Sequence, residues 1–214
     1  MLRSGFQKFK DCLTFPFRAF AIVEEDRWGL SSHKTDRFDF VGAEVKGYCL
    51  DIGCGRHNLF ITKTLDGNGV GIDVYQYDGL KPEQIVQDMT HLPFADSSFD
   101  TVTFIGNINH IPESIRDAEL SEAFRCLRHG GNVVITMGNP VAEIIVHKLV
   151  TLYDRYLGTD YDVDNERGMH HEEAYYLTDA EITGRMKKAG LKDIKKKYFY
   201  TQWFLNHLFV GWKR

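Results

Sequence analysis

From Tyr48 onward the chain alternates short apolar runs with longer segments of helical spacing. "YCLDI" reads as a buried strand and "NLFITKTL" as the helix after it. "GVGIDV" is a second strand, "IVQD", ending at Asp88, a third, and "FDTVTFIG" a fourth. "SIRDAELSEAFRCLR" places apolar residues three and four apart, the mark of an amphipathic helix. "GGNVVITM" is a fifth strand, and its glycine pair ends the helix before it. "PVAEIIVHKLVTLYDRYL" reads as a helix with Pro140 in its first turn. Residues 158–176 are polar and loop-like. "TDAEITGRMKKAG" opens on a capping box and stops at a glycine. "DIKKKYFYT" and "HLFVGWK" are two last strands, and their short connection predicts an antiparallel pair.

Strands that alternate with helices predict an α/β fold: a doubly wound, mostly parallel, seven-stranded Rossmann-like sheet with an antiparallel last strand. Residues 1–46, rich in Phe, Trp and charges and helical in places, are expected as an N-terminal helical cap, and residues 47–214 as the main domain. In such folds ligands bind at the carboxyl ends of the strands, near the switch in strand order. The glycines of "LDIGCG" fall at the end of the first strand.

Composition narrows the function. The chain has 214 residues, 26 basic and 30 acidic side chains and a net charge of −4, which speaks against a protein that coats nucleic acid. No apolar run approaches the ~20 residues that span a bilayer, and the N-terminus lacks a secretory signal pattern. Cys12, Cys49, Cys54 and Cys126 have no metal-ligand spacing, so no metal is expected; free thiols fit a reducing, cytoplasmic setting.

Gly53 and Gly55 let the backbone turn sharply and offer N–H groups to a ligand. A dinucleotide loop would carry a third glycine at position 58, where this chain has Asn58. Asp73 ends the second strand about 20 residues after the loop, the spacing of a ribose-binding acid. Asp88, followed by Met89, ends the third, where a carboxylate can accept from an exocyclic amine. With Asp51, three acids cap three neighbouring strand ends.

"LDIGCG", "GIDV", "VQDMTHLPFADSSFDTVTF", "CLRHGGNVVITM" and "YYLTDAEITGRMKKAGL" resemble the successive motifs of class I S-adenosylmethionine-dependent methyltransferases, nearest in style to the small-molecule type 11 subgroup. The resemblance covers residues 47–214 and implies S-adenosyl-L-methionine as cofactor. It implies that the loop of Gly53 and Gly55 holds the methionyl part, organised by Asp51. It implies that Asp73, with Val74 beside it, takes the ribose hydroxyls. Asp88 would take the adenine amino group, with the Met89 backbone beside the ring, and Asn107 would lie by the methionyl group. One departure is His57, where the family keeps a third glycine. It either closes over the cofactor or covers the helix start. Cys54 reads as a small apolar filler.

The reaction such a cofactor supports is an in-line displacement, which needs positioning and exclusion of water and a base only where the acceptor must lose a proton. His110, just past the fourth strand, and His170 and His171, in the polar loop, are the candidates for that base. Glu166 and Arg167 read as an ion pair anchoring the same loop. Phe15, Phe17, Phe20 and Trp28 either line an apolar acceptor pocket or pack a helix on the sheet edge. Arg3, Lys8, Lys10 and Arg18 add a reading of membrane-surface contact, which the acids of "VEEDR" dilute. The lysines 192, 195, 196 and 197 read as a solvated strand edge. The expected partner is a small-molecule, lipid or sugar-type acceptor; the sequence does not specify the oligomeric state. Competing readings are a non-catalytic cofactor-binding module and a nicotinamide oxidoreductase, which the missing third glycine opposes. No nucleic-acid partner is expected, because "GNINHIPE" lacks the Pro-Pro-aromatic element that stacks a flipped base.

Overall fold

Four consecutive buried residues, Cys49–Ile52, form β1, the centre of the parallel part of the sheet. A strand buried on both faces needs a continuous apolar run rather than an alternating one. In the computed structural model, described over residues 3–20, 25–139 and 177–214, β1 pairs in parallel with β2 (Gly69–Ile72) and β3 (Phe99–Ile105). β4 (Leu127–Gly138) continues the parallel sheet beyond β3. β6 (Asn206–Trp212) runs antiparallel between β4 and the edge strand β5 (Lys192–Tyr198). The order is β2-β1-β3-β4-β6-β5, a mixed sheet of the Rossmann-like kind with the expected antiparallel end.

Seven strands were expected, and the described residues form six. The run ending at Asp88 meets β2 only through the isolated parallel bridge Asp73↔Ile85. Its pairing consists of Asp73 N–H to Gln84 O and Val86 N–H to Asp73 O, both 2.9 Å. A turn at Pro82–Gln84 precedes it, and the chain leaves β2 at Asp73, so there is no partner length for a ladder.

Both sheet faces are covered. α4 (Glu113–Cys126) turns Leu120, Ala123 and Cys126 inward, and α5 (Asp179–Lys188) turns Ile182 and Met186 inward, against Val133 and Ile135 of β4. The opposite face holds Val134, Leu208 and Val210 against Phe60, Ile61 and Val41. α5 has the expected capping box: Thr178 Oγ1 accepts from Glu181 N–H at 3.2 Å, and Glu181 Oε2 accepts from Thr178 N–H at 2.7 Å. The glycine pair expected to end α4 lies instead inside β4. Gly130, at φ +83°, carries an irregularity where three extra residues fit between the pairs Phe99↔Leu127 and Thr101↔Asn132. The expected helix "NLFITKTL" forms a 3₁₀ turn (Arg56–Asn58) and a π turn (Phe60–Thr64), because His57 and Asn58 sit at φ +60° and +47° and deny it a regular first turn.

The N-terminal region is helical: α1 (Gly5–Leu13), α2 (Phe15–Phe20) and α3 (His33–Gly42). Ser4 and Ser32 cap α1 and α3 by accepting from Gln7 and Thr35 N–H. These helices bury charge. Arg3 pairs with Asp11, Asp36 and Asp39, and Arg18 with Asp36 at 3.0 Å. Thr201 and Gln202, in the turn between β5 and β6, donate to Asp36 at 2.6 and 3.1 Å and tie the helices to the sheet. Burial works against the Arg3 charge, and Asp36, Asp39 and Asp11 outweigh it and hold the group above its ordinary value. Burial, followed by Arg18 and Arg37, drives His33 down to about 4, so it stays neutral in this company. The expected helix over 140–157 lies outside the described residues.

Candidate functional site

The carboxyl ends of β1, β2 and β3 converge on the glycine loop, residues 53–58. Gly53 N–H and Cys54 N–H both donate to Ile72 O, at 2.8 and 3.0 Å, so the end of β2 fixes the loop's first turn. Gly53 stands at φ +72°, and a Cβ there would meet Asn107 Nδ2 at 2.0 Å; only glycine permits this approach. Asn107, just past β3, donates from Nδ2 to Ile52 O at 2.5 Å. Since a carbonyl only accepts, this bond fixes the amide's orientation and leaves Asn107 Oδ1 as a buried acceptor without a partner. Gly55, at φ +64°, has open space where its side chain would be.

Asp73 is buried and holds the loop from the other side. Its Oδ2 accepts from Gly55 N–H at 2.9 Å and its Oδ1 from Tyr75 N–H at 3.1 Å. Val74 beside it is half-buried. Asp51, expected to organise the loop, accepts instead from Thr103 Oγ1 of β3 at 2.6 Å. Burial pushes its carboxyl up to about 7; the Thr103 hydrogen bond opposes this and the charge of Asp73 adds to it. Asp88 is 63 % exposed and sits after the bridge rather than on a strand. It accepts from Thr90 N–H and Oγ1 at 2.9 and 2.5 Å and lies 3.1 Å from His91 Nδ1, and these bonds hold it below the usual carboxylate range. Met89 turns into the core.

His57 takes the left-handed backbone that its position in the loop requires, at φ +60° and ψ +6°. Its N–H donates to Asp78 O at 2.8 Å, and a Cβ on Gly79 would meet its ring at 2.2 Å. It therefore packs under the loop that follows β2. Asn58 is buried against Gly71 of β2, where a Cβ would meet Asn58 Oδ1 at 2.1 Å. Burial raises the Cys54 thiol far above its ordinary value, consistent with a filler.

His110 lies in the turn Ile108–His110, half-buried, with its N–H on Asn107 O at 2.8 Å. That turn brings it to the same strand end as the glycine loop. His170, His171, Glu166 and Arg167 lie outside the described residues. Of the aromatic residues weighed for an acceptor pocket, Phe15 is buried against the His33 and Trp203 rings, while Phe17 and Trp28 lie against each other on the surface. No group of side chains among the described residues has metal-binding geometry. A surface depression of about 410 Å³ is lined by Asp193, Ile194, Lys195, Trp212 and Arg214. Trp212 pairs with Asn132 at the start of β4, which puts that depression at the opposite end of the sheet from the glycine loop.

Three residues escaped the sequence reading. Thr103 is an inward polar residue of an apolar strand, and its partner Asp51 is visible only once β1 and β3 are paired. Glu119 is buried on α4; burial lifts its carboxyl to about 7, with Arg116 opposing and Asp88 adding. Arg125 clamps "LPFADSSFD": it donates to Leu92 O, Phe94 O and Asp96 and pairs with Glu122, which in turn accepts from Leu92 N–H. The Glu–x–x–Arg spacing of 122 and 125 on the helix is the signal that marks this clamp.

The Asp73 carboxylate and the unpartnered Asn107 oxygen, beside the open space at Gly55, are acceptors that suit a ligand's hydroxyls or amino group. Residues 50–135 match the methyltransferase domain family. Over 171 residues the chain is 27 % identical to a demethylmenaquinone methyltransferase of Lactobacillus johnsonii, covering 69 % of this chain and 68 % of that protein. Its fold matches that of a 1,6-didemethyltoxoflavin N1-methyltransferase of Burkholderia thailandensis, solved with 1,6-didemethyltoxoflavin and S-adenosylhomocysteine, at a TM-score of 0.58 and 13 % identity over all of this chain and 92 % of that one. A possible histamine N-methyltransferase of Thermotoga maritima matches at a TM-score of 0.53 and 15 % identity over 98 % of this chain and all of that one. At these identities the structural likeness concerns the fold alone.

Proposed function

The chain belongs to the class I S-adenosylmethionine-dependent methyltransferases, and from that premise we propose that it methylates a small, apolar, quinone-related acceptor by in-line displacement. The observation that carries the site is the joint placement of Gly53, Gly55, Asp73 and Asn107 around one loop at three adjacent strand ends. When bound, S-adenosylmethionine supplies a methyl group on a positively charged sulfur. We assign Asp73 to the ribose hydroxyls. Each of its oxygens accepts one backbone N–H, and a carboxylate has about four acceptor sites, so capacity remains. Asp88 is ionised and open to solvent, and we assign it the adenine amine, with Met89 and Val74 bordering the ring and ribose. Asn107 Oδ1 and the backbone at Gly53 and Gly55 are assigned the methionyl end, and Asp51 supports the floor beneath them through Thr103.

We place the acceptor between the turn 108–110 and α3. Arg37 of α3 supports this reading: a Cβ on Gly106, at the end of β3, would meet its guanidinium at 2.1 Å, so the N-terminal helices border that strand end. His110 is the base we assign, taking the proton an acceptor hydroxyl or ring carbon must lose. The quinone-related acceptor is favoured by the Lactobacillus johnsonii relative.

Calorimetry with S-adenosylmethionine and turnover of labelled cofactor with demethylmenaquinone test these roles together. Asp73→Ala should weaken cofactor binding by about 10- to 100-fold, the effect of losing a charged hydrogen-bond acceptor. His110→Ala should keep cofactor affinity and slow transfer by about 10²-fold or more. Unchanged affinity in the first variant, or a normal rate in the second, removes the residue from its role. No transfer to demethylmenaquinone alongside transfer to other acceptors would discard the quinone assignment.

A further inference from the structure

The glycine loop is richer in acceptors than in donors. Five of the six N–H groups of residues 53–58 are already engaged. Those of Gly53 and Cys54 donate to Ile72 O, that of Gly55 to Asp73, that of His57 to Asp78 O and that of Asn58 to Gly55 O. The sixth belongs to Arg56, a single neutral donor on an exposed residue. Asn107, against Gly53, commits its Nδ2 to Ile52 O and offers only Oδ1. The methionyl end of S-adenosylmethionine carries an ammonium and a carboxylate. Acceptors serve the ammonium, whereas a carboxylate is acceptor-only and needs N–H groups from elsewhere.

Arg37 is placed to supply them. Its helix, α3, is held on two sides. Phe38 packs on Phe60 and Phe40 on Phe199, with ring centroids 5.2 and 4.4 Å apart, while Asp36 accepts from Arg18, Thr201 and Gln202. Between these anchors in the sequence, Arg37 reaches across the end of β3. Its guanidinium takes the space of the side chain that Gly106 lacks: a Cβ there would meet Nη1 at 2.1 Å and Cζ at 3.2 Å. Gly106 stands at φ +69°, and its N–H donates to Thr136 Oγ1 at 2.8 Å, which fixes the strand end. Asn107 is the next residue, so the cation and the orphaned acceptor flank one peptide beside the glycine loop. Arg37 is half-buried, where an ion pair is screened less than on open surface. A guanidinium has five N–H donors in a fork that matches a carboxylate, so it can serve an acceptor in the protein and a ligand together.

We propose that Arg37 is a cofactor-binding residue: its guanidinium pairs with the α-carboxylate of the methionyl end, while Asn107 Oδ1 and the loop carbonyls take the ammonium. The assignment rests on S-adenosylmethionine being the cofactor and adds the N-terminal helices to its site. Arg37 lies outside residues 50–135, which match the methyltransferase domain family, so that match does not assign it. The buried charges of this region thereby gain a consequence at the site. Asp36 and Asp39, paired with Arg3, Lys8 and Arg18, fix the helix that carries Arg37.

Calorimetry of the full chain with S-adenosylmethionine and with its decarboxylated form, which keeps the sulfonium and the ammonium, tests the pairing. The natural chain should prefer S-adenosylmethionine by about tenfold or more, the scale of a charge-assisted pair. Arg37→Gln should weaken S-adenosylmethionine by about tenfold or more and change the affinity for the decarboxylated form by less than about twofold, so the preference disappears. Arg37→Lys should keep part of the preference, as a point charge without the fork. Arg56→Gln, at the other cation near the loop, should leave it whole. An unchanged preference in Arg37→Gln, an equal loss of both ligands, or a preference that disappears in Arg56→Gln instead would each overturn the assignment. Binding of neither ligand to the natural chain would remove the cofactor reading and this residue's role with it.

Discussion

Between β3 and β4 the fully buried positions are mostly apolar, Val102, Phe104, Val133, Val134 and Ile135 among them, with the hydroxyls of Thr101 and Thr103; between α1 and α3 they include the charged Asp11, Arg18 and Asp36, with Asp39 close behind. The two regions are equally dry and are held by opposite means. In the sheet, apolar area leaves water and the backbone satisfies its own polar groups in ladders, so stability is spread over many contacts. In the N-terminal region, charges leave water and are stable there only because each has several partners. Asp36 alone accepts from Arg3, Arg18, Thr201 and Gln202. Such an arrangement fails when one member is removed, because the others remain buried and unpaired. It also spans the chain: Asp36 and Thr201 are 165 residues apart, so the cluster joins the N-terminal helices to the last hairpin.

The largest expected effect follows. Asp36→Ala should lower unfolding free energy by about 3–5 kcal/mol, the cost of breaking a buried pair from one side, measured by urea denaturation. A loss below about 1 kcal/mol, the scale of an exposed pair, would mean that water reaches the cluster and that the two regions do not differ in kind.

A smaller effect separates the regions by pH. Asp51, in the sheet, is buried with one hydrogen-bond donor and no cation, and its carboxyl is pushed up to about 7. Asp11, in the N-terminal cluster, is held below its ordinary value: burial opposes this, and Ser31, Arg18 and Arg3 prevail. The signs are opposite. Asp11 contributes stability that is present above its unfolded value and lost as pH falls. Asp51 keeps a proton in the folded state that the unfolded chain has released, so its contribution declines as pH rises from about 4 to about 7. Asp51→Asn should remove that decline, making stability flatter over this window by at most about 1.4 kcal/mol per pH unit. Parallel pH profiles for the two chains would show that Asp51 is solvated or paired.

The same contrast explains what could be read from sequence. The parallel strands, the antiparallel hairpin and the capping box of α5 were legible, because apolar runs and Thr178 with Glu181 act locally. The acids at 51 and 73 were legible as residues at strand ends, yet their partners were not. That Asp73 rather than Asp51 holds Gly55 depends on how β1 and β2 sit side by side. A third strand at Asp88 was misread because an apolar run of that length also suits a single bridge. In the N-terminal region the usual rule inverts. Phe17 and Trp28 read as pocket lining or helix packing, and Arg3 and Arg18 as surface charge. The buried carboxylates that reverse these assignments are scattered over α1 and α3, with their last partners at 201 and 202.

The smallest effect is the sharpest test of that inversion. If the stripe of Phe6, Phe9 and Leu13 on α1 faced a core, Phe9→Ser would cost the several kcal/mol of a truncated buried aromatic, about 3–5 for full removal. Phe9 is largely exposed and Ser matches Phe closely in helix propensity, so the expected change in unfolding free energy is within about 0.5 kcal/mol. Phe104→Ala, on β3, supplies the reference, since its side chain is fully buried. A near-neutral Phe9→Ser beside a costly Phe104→Ala would show that the outward aromatic residues of this helix contribute nothing to the fold. A cost at Phe9 comparable to that at Phe104 would place the stripe inside the protein and overturn the inversion.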